Sequence, residues 1–180
     1  DGYHGDVTEV NTALYAALAR IVGLTAELLG KAEEAKRYTH LAEEIAKAFH
    51  AKRFNASTGE YGDGSQTTAI LPLALDITPP DARKAVIDAL LKTIREKNKG
   101  RLDTGIFGTR YLADVLCDSG NADLAVDLLT QPEYPGFGYQ IAQGATTLWE
   151  QWTFKGGMNS HNHAMFAGID ASFYTRFAGI

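Results

Sequence analysis

Two amphipathic segments joined by a single glycine constrain the fold of this chain most strongly. Between Thr8 and Leu29, apolar residues recur every three or four positions, which predicts one helix that ends at Gly30. Its predicted apolar face consists of Val10, Leu14, Leu18, Ile21, Val22 and Leu28. The next segment, from about Lys31 to Lys52, repeats the spacing opposite a charged face. Its apolar residues are Tyr38, Leu41, Ile45 and Phe49. Such a pair with a short joint predicts an antiparallel helical hairpin.

The rest of the chain continues in helix pairs. The further predicted helices are Gln66 to Leu75 with Pro72 inside it, Asp81 to Lys97, Thr109 to Cys117, and Asn121 to about Pro132. Polar loops separate the pairs at 55–66, 100–105 and 132–136. Because no stretch alternates with the period of a strand, we predict an all-α fold of stacked hairpins. An open solenoid and a closed α/α toroid of six hairpins both satisfy this pattern, and the unequal hairpin lengths favour the toroid.

Composition narrows the class of protein. The 180 residues are 45% hydrophobic and 22% charged, which is typical of one globular domain, so we treat 1–180 as a single domain. The net charge of -5 argues against a nucleic-acid partner, because no basic stripe can neutralise phosphates. No apolar run is long enough to predict a membrane span. The single cysteine, Cys117, is predicted to be a small buried hydrophobe. The cellular compartment of the protein is left open.

The segment GATTLWEQW places one carboxylate, Glu150, between Trp149 and Trp152. Sugars stack their apolar C–H faces on aromatic rings, and cleavage of a glycosidic bond needs a carboxylate that moves protons. This pattern therefore predicts a carbohydrate site. The alternative interpretation is a surface glutamate between two core tryptophans.

A second polar cluster follows within a short stretch of chain. It consists of Asn159, Ser160, His161, Asn162 and His163. The two clusters are close enough in sequence to line one pocket, although the histidines could instead cap the next helix. His161 and His163 have no nearby cysteine or clustered acid, and Asp170 alone does not complete a metal site. We therefore predict no metal and no cofactor.

These two clusters resemble the C-terminal part of the catalytic domain of bacterial α-L-rhamnosidases, glycoside hydrolase family 78. The similarity rests on GATTLWEQW and on NSHNHAMFAGIDASFYTRFAGI. Three earlier stretches agree with the family in order: LYAALARIVGLTAELLGKAEEAKRYTHLAEEIAKAF, QTTAILPLAL and LDTGIFGTRYLADVL. The resemblance implies a six-hairpin toroid, of which this chain is a fragment that pairs with the remaining part of the catalytic domain.

The resemblance also implies residue roles in an inverting mechanism on rhamnose-containing oligosaccharides or glycosides. Glu150 would be the general base that activates water, and His163 would hydrogen-bond a sugar hydroxyl unless its imidazole serves as a helix cap. The further candidates for substrate binding are Trp149, Trp152, Asp103, Tyr139 and Phe137. Core packing explains at least one tryptophan, helix capping explains Asp103, and packing explains Tyr139 equally well. Phe137 stands where the family often has tryptophan, in a loop that Tyr134 shares.

The general acid of the family lies upstream in an acidic motif, D-x-x-x-R-x-E, and this sequence has no match to that motif. We therefore expect the chain alone to be incomplete and inactive. A fragment, a truncated enzyme and a split enzyme completed by a second chain all satisfy this expectation. Two other classes stay open, namely a catalytically incomplete sugar-binding module and a helical-repeat interaction protein with no sugar site.

Overall fold

The computed structural model describes residues 7–154 and 157–180, and these residues are mostly helical. The main helices are α1 Val7–Leu28, α2 Ala32–Arg53, α3 Gln66–Ala74, α4 Pro80–Lys92, α5 Ile106–Asp118, α6 Ala122–Thr130 and α7 Phe137–Ala142. A π-helical turn, Thr93–Lys97, extends α4. Two short strands, β1 Phe54–Asn55 and β2 Glu60–Tyr61, pair antiparallel. The C-terminal segment passes through a 3-10 turn Ala164–Ile169, a short helix α8 Asp170–Ser172 and a π turn Phe173–Ala178. The predicted all-α class and the three predicted hairpins are confirmed.

Two local elements differ from the sequence prediction. The predicted loop after α2 contains the β1–β2 ladder, because Tyr61 is fully buried against the Phe54 ring at 5.2 Å and its hydroxyl lies 2.6 Å from His50 Nδ1. This anchor forces the chain to double back. In the predicted rim loop, Phe137 begins α7 instead of lying in irregular chain. Both differences arise from aromatic side chains that pack onto the core.

The buried side of α1 differs from the predicted apolar stripe. Small residues pack against the neighbouring helices, namely Ala13, Ala16, Ala17, Ala19, Gly23 and Ala26. The contact with α2 is so close that a Cβ added at Gly23 would lie 2.7 Å from Thr39 Oγ1. Tyr15, Leu18, Ile21, Val22, Leu24 and Leu28 are exposed, and we call these six the outer side of α1. The helix was predicted correctly, but the prediction that Leu18, Ile21, Val22 and Leu28 face the core was wrong.

The centre of the core is α3, in which every residue from Gln66 to Leu73 is buried, and it packs mainly against α5. Asp103 holds the beginning of α3 in place. Its Oδ1 accepts the Gln66 N–H at 3.1 Å, and its Oδ2 accepts the Asn98 side-chain amide at 3.1 Å. A helix N-terminus has N–H groups without intrahelical partners, and this carboxylate satisfies one of them. The loop 98–105 is thereby fixed beside α3.

The C-terminal segment is tied to α5 by charged and polar contacts. Arg176 Nε lies 2.8 Å from Asp118 Oδ1, and the Ser172 hydroxyl donates to Asp114 Oδ1 at 2.8 Å. Cys117 on the same helix is half-buried, which corrects the prediction of a buried thiol, and burial is the main cause that raises its thiol pKa. Among the helices of the described residues, none is long and apolar enough to cross a membrane.

Candidate active site

The two polar clusters predicted from the sequence meet through main-chain hydrogen bonds. The Glu150 N–H donates to the Ser160 carbonyl at 3.1 Å, and the His163 N–H donates to the Leu148 carbonyl at 2.8 Å. The Thr147 hydroxyl also donates to the His161 carbonyl. These bonds hold the two stretches side by side. The tertiary structure therefore brings Glu150 and His163 to one site.

The Glu150 carboxylate is oriented by the second stretch. Its Oε2 accepts two main-chain N–H groups, from Asn159 at 2.9 Å and from Ser160 at 3.0 Å. Within residues 7–154 and 157–180, Oε1 accepts no hydrogen bond, and the His163 ring makes none either. Both side chains are half-buried. One carboxylate oxygen and one imidazole are thus available to a ligand or a water molecule.

These two side chains line a common cavity of about 340 Å³, which we call the Glu150 cavity. Its lining residues are Gly105, Ile106, Glu150, Gln151, His163, Met165 and Phe166. A carboxylate and an imidazole in one cavity can exchange protons with a bound hydroxyl or water. A larger groove of about 620 Å³ lies between α1 and α2, but it contains none of the predicted site residues. Its open, charged walls make it a surface groove, so the chemistry favours the smaller cavity.

The two tryptophans flanking Glu150 are packed into the protein. Trp152 is fully buried between the Phe137 and Phe166 rings, and its Nε1 donates to the Thr104 carbonyl at 2.6 Å. Trp149 is 3% exposed and contacts Phe154 at 5.3 Å between ring centroids. The His161 ring stands edge-on to Trp149 at 5.7 Å. Neither indole presents a free face to the Glu150 cavity.

The other three candidates lie outside the cavity lining. Asp103 is buried at the N-terminus of α3, as described above. Phe137 stands edge-on to Trp152 at 5.0 Å, so it supports the tryptophan that follows Glu150. Tyr139 is half-buried and contacts the Tyr134 ring at 5.3 Å. None of the three lines the Glu150 cavity.

Sequence reasoning missed several residues that build the site. Gln140 is 2% exposed and its Nε2 donates to the Gln151 carbonyl at 3.1 Å, which fixes the chain beside Glu150. Ile106, Met165 and Phe166 form an apolar part of the cavity wall. Met165 and Phe166 follow His163 closely in sequence, and this proximity could have indicated that they line the same cavity. Ile106 lies three residues after the candidate Asp103, but local spacing does not show that α5 brings it to the cavity of Glu150.

No group of three or more histidine, cysteine, aspartate or glutamate residues that could hold a metal ion occurs in the part of the chain that the structure describes.

Comparison with known proteins identifies the family. Residues 3–177 match the family described as the bacterial alpha-L-rhamnosidase 6 hairpin glycosidase domain. The chain belongs to this family. The hairpins seen here are therefore part of a six-hairpin glycosidase domain, which confirms the predicted toroid class.

Individual rhamnosidases are similar over almost the whole chain. An alpha-L-rhamnosidase of Formosa agariphila is 36% identical over 179 residues, which cover 95% of this chain and 19% of that protein. The structure of alpha-L-rhamnosidase from Dictyoglumus thermophilum has a TM-score of 0.80 at 42% identity, covering 87% of this chain and 18% of that one. The Streptomyces avermitilis alpha-L-rhamnosidase complexed with L-rhamnose has a TM-score of 0.83 at 34% identity, with 94% and 17% covered. The chain thus spans about a fifth of the length of these rhamnosidases.

Proposed function

We propose that this chain carries the general-base half of an inverting α-L-rhamnosidase site, with Glu150 as the base. The observation that carries the proposal is the position of Glu150 in one cavity with His163, with its Oε2 held by two main-chain N–H groups. An inverting glycosidase uses one carboxylate to activate a water and an opposing carboxylic acid to protonate the leaving oxygen. Glu150 has the fixed orientation that the first of these roles requires.

His163 is proposed to hydrogen-bond a sugar hydroxyl. Its main-chain N–H is fixed by Leu148, and its ring is left to the cavity. Three aromatic residues are proposed to support the cavity wall from behind, namely Trp149, Trp152 and Phe137. Both indoles are buried. They would hold the Glu150 segment rigid, which matters because a base must stay within hydrogen-bond reach of its water. Asp103 and Tyr139 are proposed to support the site through the same packing.

The rest of the machinery is proposed to come from outside this chain. The outer side of α1 exposes several large apolar residues, among them Leu28, which is 89% exposed. Contiguous exposed apolar surface indicates an interface. We propose that the remaining hairpins of the same domain cover it and supply the general acid. The chain and those hairpins together would form the toroid, and the chain alone would not hydrolyse rhamnosides.

The decisive experiment measures hydrolysis of an aryl α-L-rhamnoside and calorimetric binding of L-rhamnose. The chain is tested alone and mixed with the separately produced remainder of the six-hairpin domain of the Streptomyces relative. Turnover is expected only in the mixture, with Glu150→Gln lowering it by about 10²–10⁴-fold while rhamnose binding persists.

Glu133→Gln is the matched control, because Glu133 is exposed and does not line the cavity. Equal turnover of Glu150→Gln and wild type in the mixture would remove the base assignment. Binding of rhamnose without turnover in the mixture would favour a sugar-binding module, and no binding in either sample would favour an interaction protein.

A further inference from the structure

One residue of α7 holds the segment that carries Glu150 at both of its ends. The Gln140 carbonyl accepts the Ala145 N–H at 3.0 Å, where the segment begins. The Gln140 side-chain Nε2 donates to the Gln151 carbonyl at 3.1 Å, directly after Glu150. Because both hydrogen bonds involve the same residue, they restrict the distance between the two ends of the segment.

The first of these bonds belongs to the C-terminal cap of α7. The Gly144 N–H donates to the Ile141 carbonyl at 2.9 Å, and Gly144 has a φ of 88°. Together with the bond from Ala145 to Gln140, this contact forms a Schellman motif, in which glycine adopts the left-handed conformation without a steric cost. The point at which the chain leaves α7 is thereby fixed relative to Gln140.

The second bond is shielded from solvent. Gln140 is 2% exposed, so water competes little for its amide, and loss of the bond would leave a partly buried main-chain carbonyl without its donor. The next residue is anchored to a different element, because Trp152 Nε1 donates to the Thr104 carbonyl. Two neighbouring residues are thus held by α7 and by the chain before α5. The main chain after Glu150 has little freedom to rotate.

We propose that Gln140 is a positioning residue for the Glu150 carboxylate, acting through the main chain of Gln151. The Glu150 Oε2 must stay in reach of the N–H groups of Asn159 and Ser160. Hydrogen bonds weaken steeply as their geometry is distorted, so a shift of the main chain would disturb both contacts. Gln140 does not line the Glu150 cavity. The catalytic part of the inference rests on the proposed function, because it takes Glu150 as the base.

A small displacement of Glu150 should have a large effect on the reaction. A general base must lie within hydrogen-bond reach of its water, and a misplacement of about 1 Å can lower the rate about 10²-fold. The His163 ring would still be available to bind the sugar, because its main-chain bond to Leu148 does not involve Gln140. Loss of the Gln140 side-chain bond should therefore lower kcat and change KM little.

Gln140→Met removes the donor and keeps an unbranched side chain of similar length. Methionine can fill the buried space, but it has no N–H to donate to the Gln151 carbonyl. Gln143→Met is the matched control, because Gln143 is exposed at the end of α7. An effect of exchanging glutamine for methionine in general would occur in both variants.

The first measurement follows main-chain amides by NMR in the isotope-labelled 180-residue chain, without any ligand. The Asn159 and Ser160 amide signals should shift as the Glu150 carboxyl titrates, and Glu150→Gln should abolish that shift. In Gln140→Met the shift should become smaller. Exchange of the Ser160 amide with solvent should also accelerate about tenfold more than exchange of the α3 amides. The α3 amides report global stability, so the difference isolates the position of the carboxylate.

The second measurement is hydrolysis of an aryl α-L-rhamnoside by the chain mixed with the remaining hairpins of the Streptomyces relative. Gln140→Met should lower kcat about 10- to 100-fold with little change in KM. The double variant with Glu150→Gln should be no slower than Glu150→Gln alone, because the two residues act through one carboxylate. Gln143→Met should match the wild type.

The outcomes separate the positioning role from the proposed function. An unchanged Ser160 exchange rate in folded Gln140→Met overturns the positioning role. Disturbed amides with a normal kcat overturn its catalytic part. Absence of turnover in every mixture, wild type included, overturns the proposed function, whereas the amide measurements still decide whether Gln140 positions Glu150. Gln140→Asn shortens the reach of the amide and should give the same changes, so the test does not depend on the folding of one variant.

Discussion

The indole Nε1 of Trp152 donates a 2.6 Å hydrogen bond to the carbonyl of Thr104, 48 residues earlier in the chain. Thr104 follows Asp103, which holds the N-terminus of α3, and lies just before α5. The hydrogen bond thus ties the segment that carries Glu150 to the two central helices of the core. A loop of irregular structure gains a defined position from one buried contact.

Trp152→Phe should destabilise the chain by about 2 kcal/mol or more. The substitution leaves the buried Thr104 carbonyl without its donor and opens a space beside Phe166. Urea unfolding followed by circular dichroism measures the change. Trp149→Phe is the matched control, because no indole hydrogen bond of Trp149 occurs among the residues described. Equal losses in the two variants would contradict the importance of the Thr104 contact.

Asp103→Asn distinguishes a structural role from a sugar-binding role. Asparagine keeps one acceptor for the Gln66 N–H but sets an amide donor against the Asn98 donor. We expect a loss of about 1–3 kcal/mol in the free energy of unfolding, with unchanged rhamnose affinity in the folded protein. Unfolding in urea and calorimetry give the two quantities. Weakened sugar binding at full stability would show that Asp103 contacts the ligand.

Asp63 should make stability depend on pH in the acid range. Burial acts to raise the pKa of Asp63, but hydrogen bonds from Ser65 and Thr68 together with the charge of Lys97 bring it below the ordinary value of 3.8. A lowered carboxyl pKa contributes stability above the unfolded-state value, and that stability is lost as pH falls through the folded-state value.

Asp63→Asn, which retains the Oδ1 acceptor, should therefore be less stable than wild type near neutral pH. The loss in the free energy of unfolding should be at most about 1 kcal/mol, because solvent screens the charge of the exposed Asp63 side chain. The difference should vanish in strong acid. Urea unfolding over a pH series measures it. High salt should reduce the share of the stability difference that comes from the charge of Lys97. A stability difference that grows towards acid pH would contradict the predicted direction.

The outer side of α1 should make the isolated chain self-associate. Leu18, Ile21 and Leu28 are each more than half exposed, and burying each such side chain is worth about 1.5–3 kcal/mol. The triple serine variant should shift the chain towards monomer in light scattering coupled to gel filtration. Val126→Ser, on an exposed site of α6, is the control. A monomeric wild type at high concentration would argue against an interface on α1.

Helix positions could be predicted from the sequence because they depend on local spacing. The predicted ends of the first two helices lie within one residue of α1 and α2. The buried side of α1 could not be predicted in this way. The periodicity of apolar residues predicts that the leucine and isoleucine side chains face the core. Close packing against α2 instead buries the alanines and Gly23. The identity of the packing partner decides which side of a helix is buried.

The same distinction between local spacing and tertiary packing applies to the candidate site. The sequence by itself determined that Glu150 and His163 belong to neighbouring polar clusters, because few residues separate them. Only the tertiary structure decided that both tryptophans are buried and that Ile106 of α5 lines the same cavity as Glu150. Contacts between residues far apart in the chain depend on how the helices close around the core, and local spacing carries no information about that closure.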